Sequence, residues 1–264
     1  MGCGGHAERF LEAVGPSGCL IGLDRDEEAL EFCKERLKRF KDQVKLVHGH
    51  FGQLAYLLDE LHIGFLDGAL FDLGVSSLQL KAAHRGFSFM LEGPLDMRMD
   101  QTQRLTAKDL INRASPRELM RLLRDYGQER WTGRIVRRIL ERRPLKTTTE
   151  LAEVVRRTLP PRARYGRIDP ATRTFQAIRI AVNHELELLP EGLAQAIHRL
   201  KVGGRIGVLA YHSLEDRIVK TVFRDEARAG YCEVLTQKPI HPSDEEVGRN
   251  SSARSACLLV ARRL

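Results

Sequence analysis

Across residues 1–90 short apolar runs alternate with amphipathic stretches, and two of those runs end in an aspartate. βαβ units produce that rhythm, because a buried parallel strand is apolar throughout while its crossover helix is apolar on one face. Residues 19–24, 44–47 and 68–72 read as strands, the first closing at Asp24 and the third at Asp72. Residues 27–40 place Leu30, Cys33, Leu37 and Phe40 three and four apart, as one helical face requires, and residues 53–61 read as a second helix.

The alternation then stops. Residues 106–112, 115–126, 129–143 and 149–158 read as helices with no strand between them. Ser115 followed by Pro116 and Glu118 is a helix start, and Thr147 before Glu150 is another. Residues 160–170, rich in Pro, Arg and Gly, read as a basic loop. The α/β pattern resumes with helices at 175–188 and 190–200, the second closed by Gly203-Gly204 as a C-terminal cap. A strand at 205–211, a helix at 214–229 and an antiparallel pair at 232–235 and 256–261 follow. The expected architecture is an open α/β sheet interrupted by an all-helical insert.

Charge is divided the same way. Residues 98–173 hold 20 Lys/Arg against 9 Asp/Glu, a net of +11, while the other 188 residues hold 23 against 26, a net of −3. A field of that sign attracts polyphosphate, and arginine, which dominates here, suits phosphate oxygens and base edges. The bland alternative is a solvated, salt-bridged helical surface. With 42% hydrophobic and 30% charged residues the chain is neither disordered nor a disulfide-stapled miniprotein. The most apolar stretch, 62–80, is broken by Asp67 and Asp72, so no membrane span or secretory leader is expected. Five scattered cysteines (Cys3, Cys19, Cys33, Cys232, Cys257) suit a reducing cytosol and buried thiols, not a zinc site. No metal is expected.

Ligands of open α/β sheets bind beyond the carboxyl ends of the strands. Gly2-Cys3-Gly4-Gly5-His6 is a glycine loop opening a helix at 7–14, and Asp24 follows nineteen residues after Gly5. An acid at that distance is placed to accept from both ribose hydroxyls of an adenosine. The loop is G-x-G-G, which counts against a dinucleotide and its pyrophosphate. S-adenosylmethionine carries no phosphate and fits better. Phe51 is placed to pack on the adenine, or is ordinary core.

The segments Gly4-Gly5-His6, Leu23-Asp24-Arg25-Asp26, His48-Gly49-His50-Phe51 and Asp72-Leu73-Gly74-Val75-Ser76-Ser77-Leu78-Gln79-Leu80 are joined by Arg85-Gly86-Phe87-Ser88-Phe89 and Gly93-Pro94-Leu95-Asp96-Met97-Arg98-Met99-Asp100. Thr172-Arg173-Thr174-Phe175-Gln176-Ala177, Arg179-Ile180-Ala181-Val182-Asn183 and His212-Ser213-Leu214-Glu215-Asp216-Arg217 complete the set. Together they resemble the bacterial family of small-subunit ribosomal RNA cytosine-N4 methyltransferases, from about residue 2 to the C-terminus.

The resemblance implies a class I, Rossmann-like methyltransferase sheet over 1–97 and 174–264, with a helical RNA-recognition insert at 98–173. It implies methyl transfer from S-adenosylmethionine to N4 of a cytosine in the decoding region, on ribosomal RNA or an assembled small subunit, in the cytoplasm. Carried over, the cofactor contacts fall on Gly4, Gly5, His6, Asp24, Phe51, Asp72 and Gln79. Asp72 stands where related amino-methyltransferases end a strand with an acid or amide, so it serves cofactor, target amine or both. His212 is placed to hydrogen-bond the flipped base and Glu215 to cap the following helix. Arg173 is a phosphate candidate. Arg98, with Asp96 and Asp100, is either a target contact or part of a salt-bridged hinge. The family normally has a strand before its glycine loop and this chain starts at the loop, so a start upstream of Met1 is expected. The competing readings are a noncatalytic RNA-binding assembly factor and, less well matched, a nicotinamide-dependent oxidoreductase. Monomer and dimer stay open.

Overall fold

The structure is a computed structural model and describes residues 1–161 and 169–264. The strands are β1 (Leu20–Asp24), β2 (Val44–His48), β3 (Leu66–Asp72), β4 (Leu200–Ala210), β5 (Cys232–Val234) and β6 (Cys257–Arg263). The helices of the first half are α1 (Gly5–Val14), α2 (Glu27–Arg36), α3 (Leu54–Glu60), α4 (Ser77–Lys81), α5 (Ala107–Arg113) and α6 (Pro116–Asp125). Those of the second are α7 (Thr132–Arg142), α8 (Thr148–Thr158), α9 (Ala171–Asn183), α10 (Leu189–His198), α11 (Ser213–Arg228) and α12 (Asp244–Arg249). The chain divides into two compact units, Met1–His48 with Val75–His184, and Gly49–Gly74 with Glu185–Leu264.

In the first unit β1 and β2 run parallel, from Leu20 opposite Val44 to Asp24 opposite His48. Ala7 and Leu11 of α1 pack with Cys33 and Leu37 against Leu20 and Leu46. Asp26 caps α2 by accepting from Glu28 N–H, with Glu27 and Glu28 in the first turn and Lys34 and Arg36 in the last, complementing the helix dipole. The expected helix to residue 40 stops at Arg36 and tightens into a 3-10 turn at Lys38–Phe40, because the Leu37 N–H bonds back to Cys33 and Glu35 carbonyls.

The helices α5 to α9 of this unit share one apolar core that includes Leu119, Leu123, Ile135, Ile139, Leu151 and Ile178. Local chemistry sets their starts. Ser115, Thr106 and Thr147 each accept from the N–H three residues on, and Asp109 and Glu150 complete capping boxes. Helix α7 begins at Thr132 and not at 129, because Glu129 turns inward and accepts from the Trp131 N–H at 2.8 Å. The basic loop expected at 160–170 lies mostly outside the described residues.

In the second unit the order is β3-β4-β6-β5, with β3 parallel to β4 and β6 antiparallel to both its neighbours. The closing pair expected at 232–235 and 256–261 is β5 with β6. Gly203-Gly204 is not a helix cap: α10 ends at His198, and both glycines lie inside β4. Between Leu66 opposite Leu200 and Gly68 opposite Arg205 the register slips, and residues 201–204 leave the ladder. Gly203 takes φ +83 there, and a Cβ on Gly204 would meet the Lys201 and Asp67 carbonyl oxygens at 2.9 and 3.0 Å. Leu193, Ile197, Val208, Val219, Phe223 and Leu259 build the core. Among the described residues no helix is long and apolar enough to cross a membrane.

Candidate functional site

In the first unit the glycine loop and the end of β1 come together. Gly4 is the N-cap of α1 at φ 74, a left-handed conformation that a side chain disfavours, and a Cβ on Gly5 would meet nothing within 4 Å. His6 is exposed on the first turn of the helix. Asp24 Oδ2 accepts from the Met1 ammonium at 2.9 Å and from the Gly2 N–H at 3.1 Å, while Oδ1 accepts from the Asp26 N–H at 3.0 Å. The strand-end carboxylate therefore faces the glycine loop with its acceptor oxygens toward N–H donors. Cys33 Sγ donates to Gly2 O, and burial pushes its thiol up, so it is a packing group. Of the five cysteines, Cys33, Cys232 and Cys257 are buried, but Cys19 is exposed and Cys3 half-buried, both lying outside the strands and helices.

Two residues later lies a group that sequence reasoning did not single out. Asp26 and Arg85 are each 1% exposed and form an ion pair at 2.9 Å. Arg85 also donates to Glu28 Oε2 at 2.9 Å and to the Arg98 and Met99 carbonyls at 3.0 Å. Gln79 joins them: its Nε2 donates to Asp26 Oδ2 at 2.7 Å, and its Oε1 accepts from Ser76 N–H at 2.9 Å. One buried network thus binds the end of β1, the start of α2, α4 and residues 98–99. The Glu28 carboxyl is raised by burial, but the Arg85 hydrogen bond and charge together with His84 outweigh that and hold it below the usual range. The available signal was two charged residues inside long motifs.

Arg98 makes the salt-bridged joint. Its Nε and Nη2 donate to Asp96 at 2.9 and 2.8 Å, and Nη1 donates to the Gln101 and Gln103 carbonyls. Asn183 ties the same segment to α9, accepting from the Met99 N–H at 2.8 Å and donating to Met97 O at 2.7 Å. Burial raises the Asp100 carboxyl, and two Thr102 hydrogen bonds with the His48 and Arg25 charges more than reverse this. Arg173, at the start of α9, is exposed and donates to Gln128 O at 3.5 Å.

In the second unit the register of β3 on β4 sets Asp72 opposite Leu209, two residues before Tyr211. Tyr211 Oη donates to Asp72 Oδ1 at 2.8 Å. Burial, then the Asp72 charge and hydrogen bond, push the phenol far above its ordinary value, so it remains a donor. Phe51 packs against Phe71 with centroids 6.0 Å apart, and Gly192 lies so close that a Cβ there would stand 2.8 Å from its ring. His212 is the N-cap of α11. Its Nδ1 accepts from Glu215 N–H at 3.4 Å, and the buried Glu215 accepts from the Tyr211 and His212 N–H groups. Tyr211 and His212 line a hollow of about 360 Å³ with Lys220, His241 and Cys257. Among the described residues no three His, Cys, Asp or Glu could hold a metal ion.

The MraW methylase family matches the sequence over residues 1–264. The chain belongs to that family. The ribosomal RNA small subunit methyltransferase H of Syntrophotalea carbinolica is 49% identical over 282 aligned residues, covering 100% of this chain and 90% of that protein. The protein of the same name from Persephonella marina is 48% identical with the same coverage. An rRNA methylase structure from Streptococcus thermophilus overlaps 93% of this chain and 74% of its own at 11% identity and a TM-score of 0.41, too loose a likeness to carry an argument. The family member is thus an α/β protein, with a parallel β3-β4 pair and its last strand, β6, set antiparallel beside β4.

Proposed function

We propose that this chain transfers a methyl group from S-adenosylmethionine to N4 of a cytosine in the decoding region of small-subunit ribosomal RNA, acting on the assembled or nearly assembled subunit in the cytoplasm. Full-length identity of 49% to a relative named for that subunit's RNA carries the reading. The residues at the glycine loop suit the donor. Asp24 turns a carboxylate oxygen toward the Gly2 N–H of the loop, and such an acceptor suits ribose hydroxyls. Space over Gly5 admits a ligand against the backbone, and His6 borders that space. Gln79 keeps Asp26 and Ser76 in place.

The donor supplies a methyl already activated on a sulfonium, so the protein's task is alignment. The cytosine amine is a weak nucleophile, its lone pair being delocalised into the ring. An acceptor for its N–H groups helps the nitrogen pyramidalise and lose a proton. Asp72 is that acceptor when it is not serving the cofactor, a carboxylate having about four lone-pair sites and its orientation being fixed by Tyr211. His212 is placed to hydrogen-bond the base, which must leave its stack to be modified. Arg173 takes phosphate, and Arg98 holds the joint near the other end of α9.

The test is methylation of small subunits lacking the modification, with the product mapped by mass spectrometry, beside calorimetric titration with S-adenosylmethionine. Saturable micromolar binding and one new methyl on a cytosine N4 are expected. RNA binding with neither result would make the chain a noncatalytic assembly factor. Displacement of the donor by NAD would revive the oxidoreductase reading.

A further inference from the structure

The arginines of the basic segment fall into two classes. Those of the first class already have partners: Arg98 holds Asp96, Arg156 holds Asp169 at 2.7 Å, Arg157 holds Glu153, and Arg138 holds Glu141 at 2.9 Å. Arg143 donates to the Ile111 and Ala114 carbonyls, closing the end of α5. The second class is exposed and makes no side-chain hydrogen bond or ion pair among the described residues: Arg104, Arg117, Arg121, Arg130, Arg134 and Arg142.

Four of these share one region, while Arg104 lines a separate hollow and Arg142 ends α7. Arg117 and Arg121 lie one helical turn apart on the outer face of α6, opposite the buried Leu119, Leu122 and Leu123. The connection from α6 to α7 then carries Arg130. Arg134 follows, with its guanidinium 5.0 Å from the Trp131 ring, and Arg173 reaches the same connection through the Gln128 carbonyl. Of the nearby acids, Glu118 is exposed beside Arg117, while two others are engaged. Glu129 is 7% exposed and bonded to the Trp131 N–H, and Asp125 is taken by Arg124 at 2.8 Å. A neighbouring hollow of about 510 Å³ is charge-balanced by contrast, with Arg104 and Arg113 beside Asp109 and Glu118.

Exposed like charges with no internal partner add nothing to folding, but they suit a polyanion whose counterions they displace. The arginine fork and an adjacent indole favour phosphate and a nucleobase over a carboxylate-rich peptide. We infer that the outer face of α6 and the α6–α7 connection, through Arg117, Arg121, Arg130, Arg134 and Arg173, form the track that takes the phosphate backbone of the RNA substrate. This assignment rests on the ribosomal RNA methyltransferase reading and locates its RNA contact.

The experiment compares the full chain, the track variant R117Q/R121Q/R130Q and a control, R113Q/R138Q/R157Q, which removes the same charge from arginines that have acidic partners. Binding to small ribosomal subunits and to a short RNA hairpin is measured over a salt series, with thermal unfolding as the check on folding. The track variant is expected to flatten the slope of log affinity against log salt by about two units, and the control by much less. Arg121→Gln alone carries the same expectation at about one unit or less. An RNA-binding full chain whose slope falls equally in track and control variants overturns the track and leaves the methyltransferase reading intact. A full chain that binds neither RNA, or that prefers anionic lipid vesicles, overturns both.

Discussion

Asp24 and Asp26 are two residues apart and do different work. Asp26 is buried and faces Arg85 and Gln79, so it holds the frame; Asp24 is part-exposed and faces the loop, so it is available to a ligand. Breaking a buried ion pair leaves one charge uncompensated, which costs about 3–5 kcal/mol. Arg85→Ala is therefore expected to lower stability by that order in denaturant titration, and an unchanged midpoint would remove the network from the frame. Asp24→Ala is expected to lower the midpoint less than Arg85→Ala and to weaken S-adenosylmethionine binding by about 1–3 kcal/mol, the cost of unpaired hydroxyls. Equal affinity in calorimetry would take Asp24 out of the site.

At the scale of elements, the helices of the basic segment depend on their starts. Thr106 and Asp109 form a capping box at α5, the Thr106 hydroxyl donating to Asp109 Oδ2 at 2.6 Å. That hydroxyl hydrogen bond, set against a small burial effect and helped by the Thr106 N–H and by Arg113 and Lys108, holds the Asp109 carboxyl below its usual value. A folded value below the unfolded one means stability that is present above about pH 4 and is lost as pH falls through the folded value. Thr106→Ala is expected to cost about 1 kcal/mol at neutral pH and to shrink the difference from wild type in acid. A constant difference across the pH range would show that the box is not coupled to Asp109 ionisation. Helix starts of this kind are readable in the sequence at Ser115 and Thr147, because the cap and the acid three residues on are neighbours in sequence, with Pro116 added at the first. The start of α7 was misplaced, because the inward turn of Glu129 is decided by what packs beneath it.

For the whole molecule, residues 98–173 carry +11 and the remainder −3. Salt is expected to separate the two binding events. RNA affinity should fall steeply between low and physiological ionic strength, while donor affinity, which involves no phosphate, should barely move. Parallel losses in the two titrations would mean that the basic segment does not hold RNA.

What the sequence determined by itself was element type, approximate ends and family. Apolar periodicity, capping residues and long motifs are local, and a local pattern can be read without coordinates. It also placed the positive charge, since charge is additive along the chain. Only the tertiary structure decided which charges already have partners. Arg85 meets Asp26 across 59 residues, and Tyr211 meets Asp72 across 139, and no local spacing encodes either pair. The same holds for Gly203 and Gly204, whose sequence suits a helix cap but which lie in the irregularity between the Leu200 and Arg205 pairings of β4 with β3. Partners distant along the chain are chosen by packing, so the difference between an arginine that closes a helix and one that faces solvent emerges only on folding.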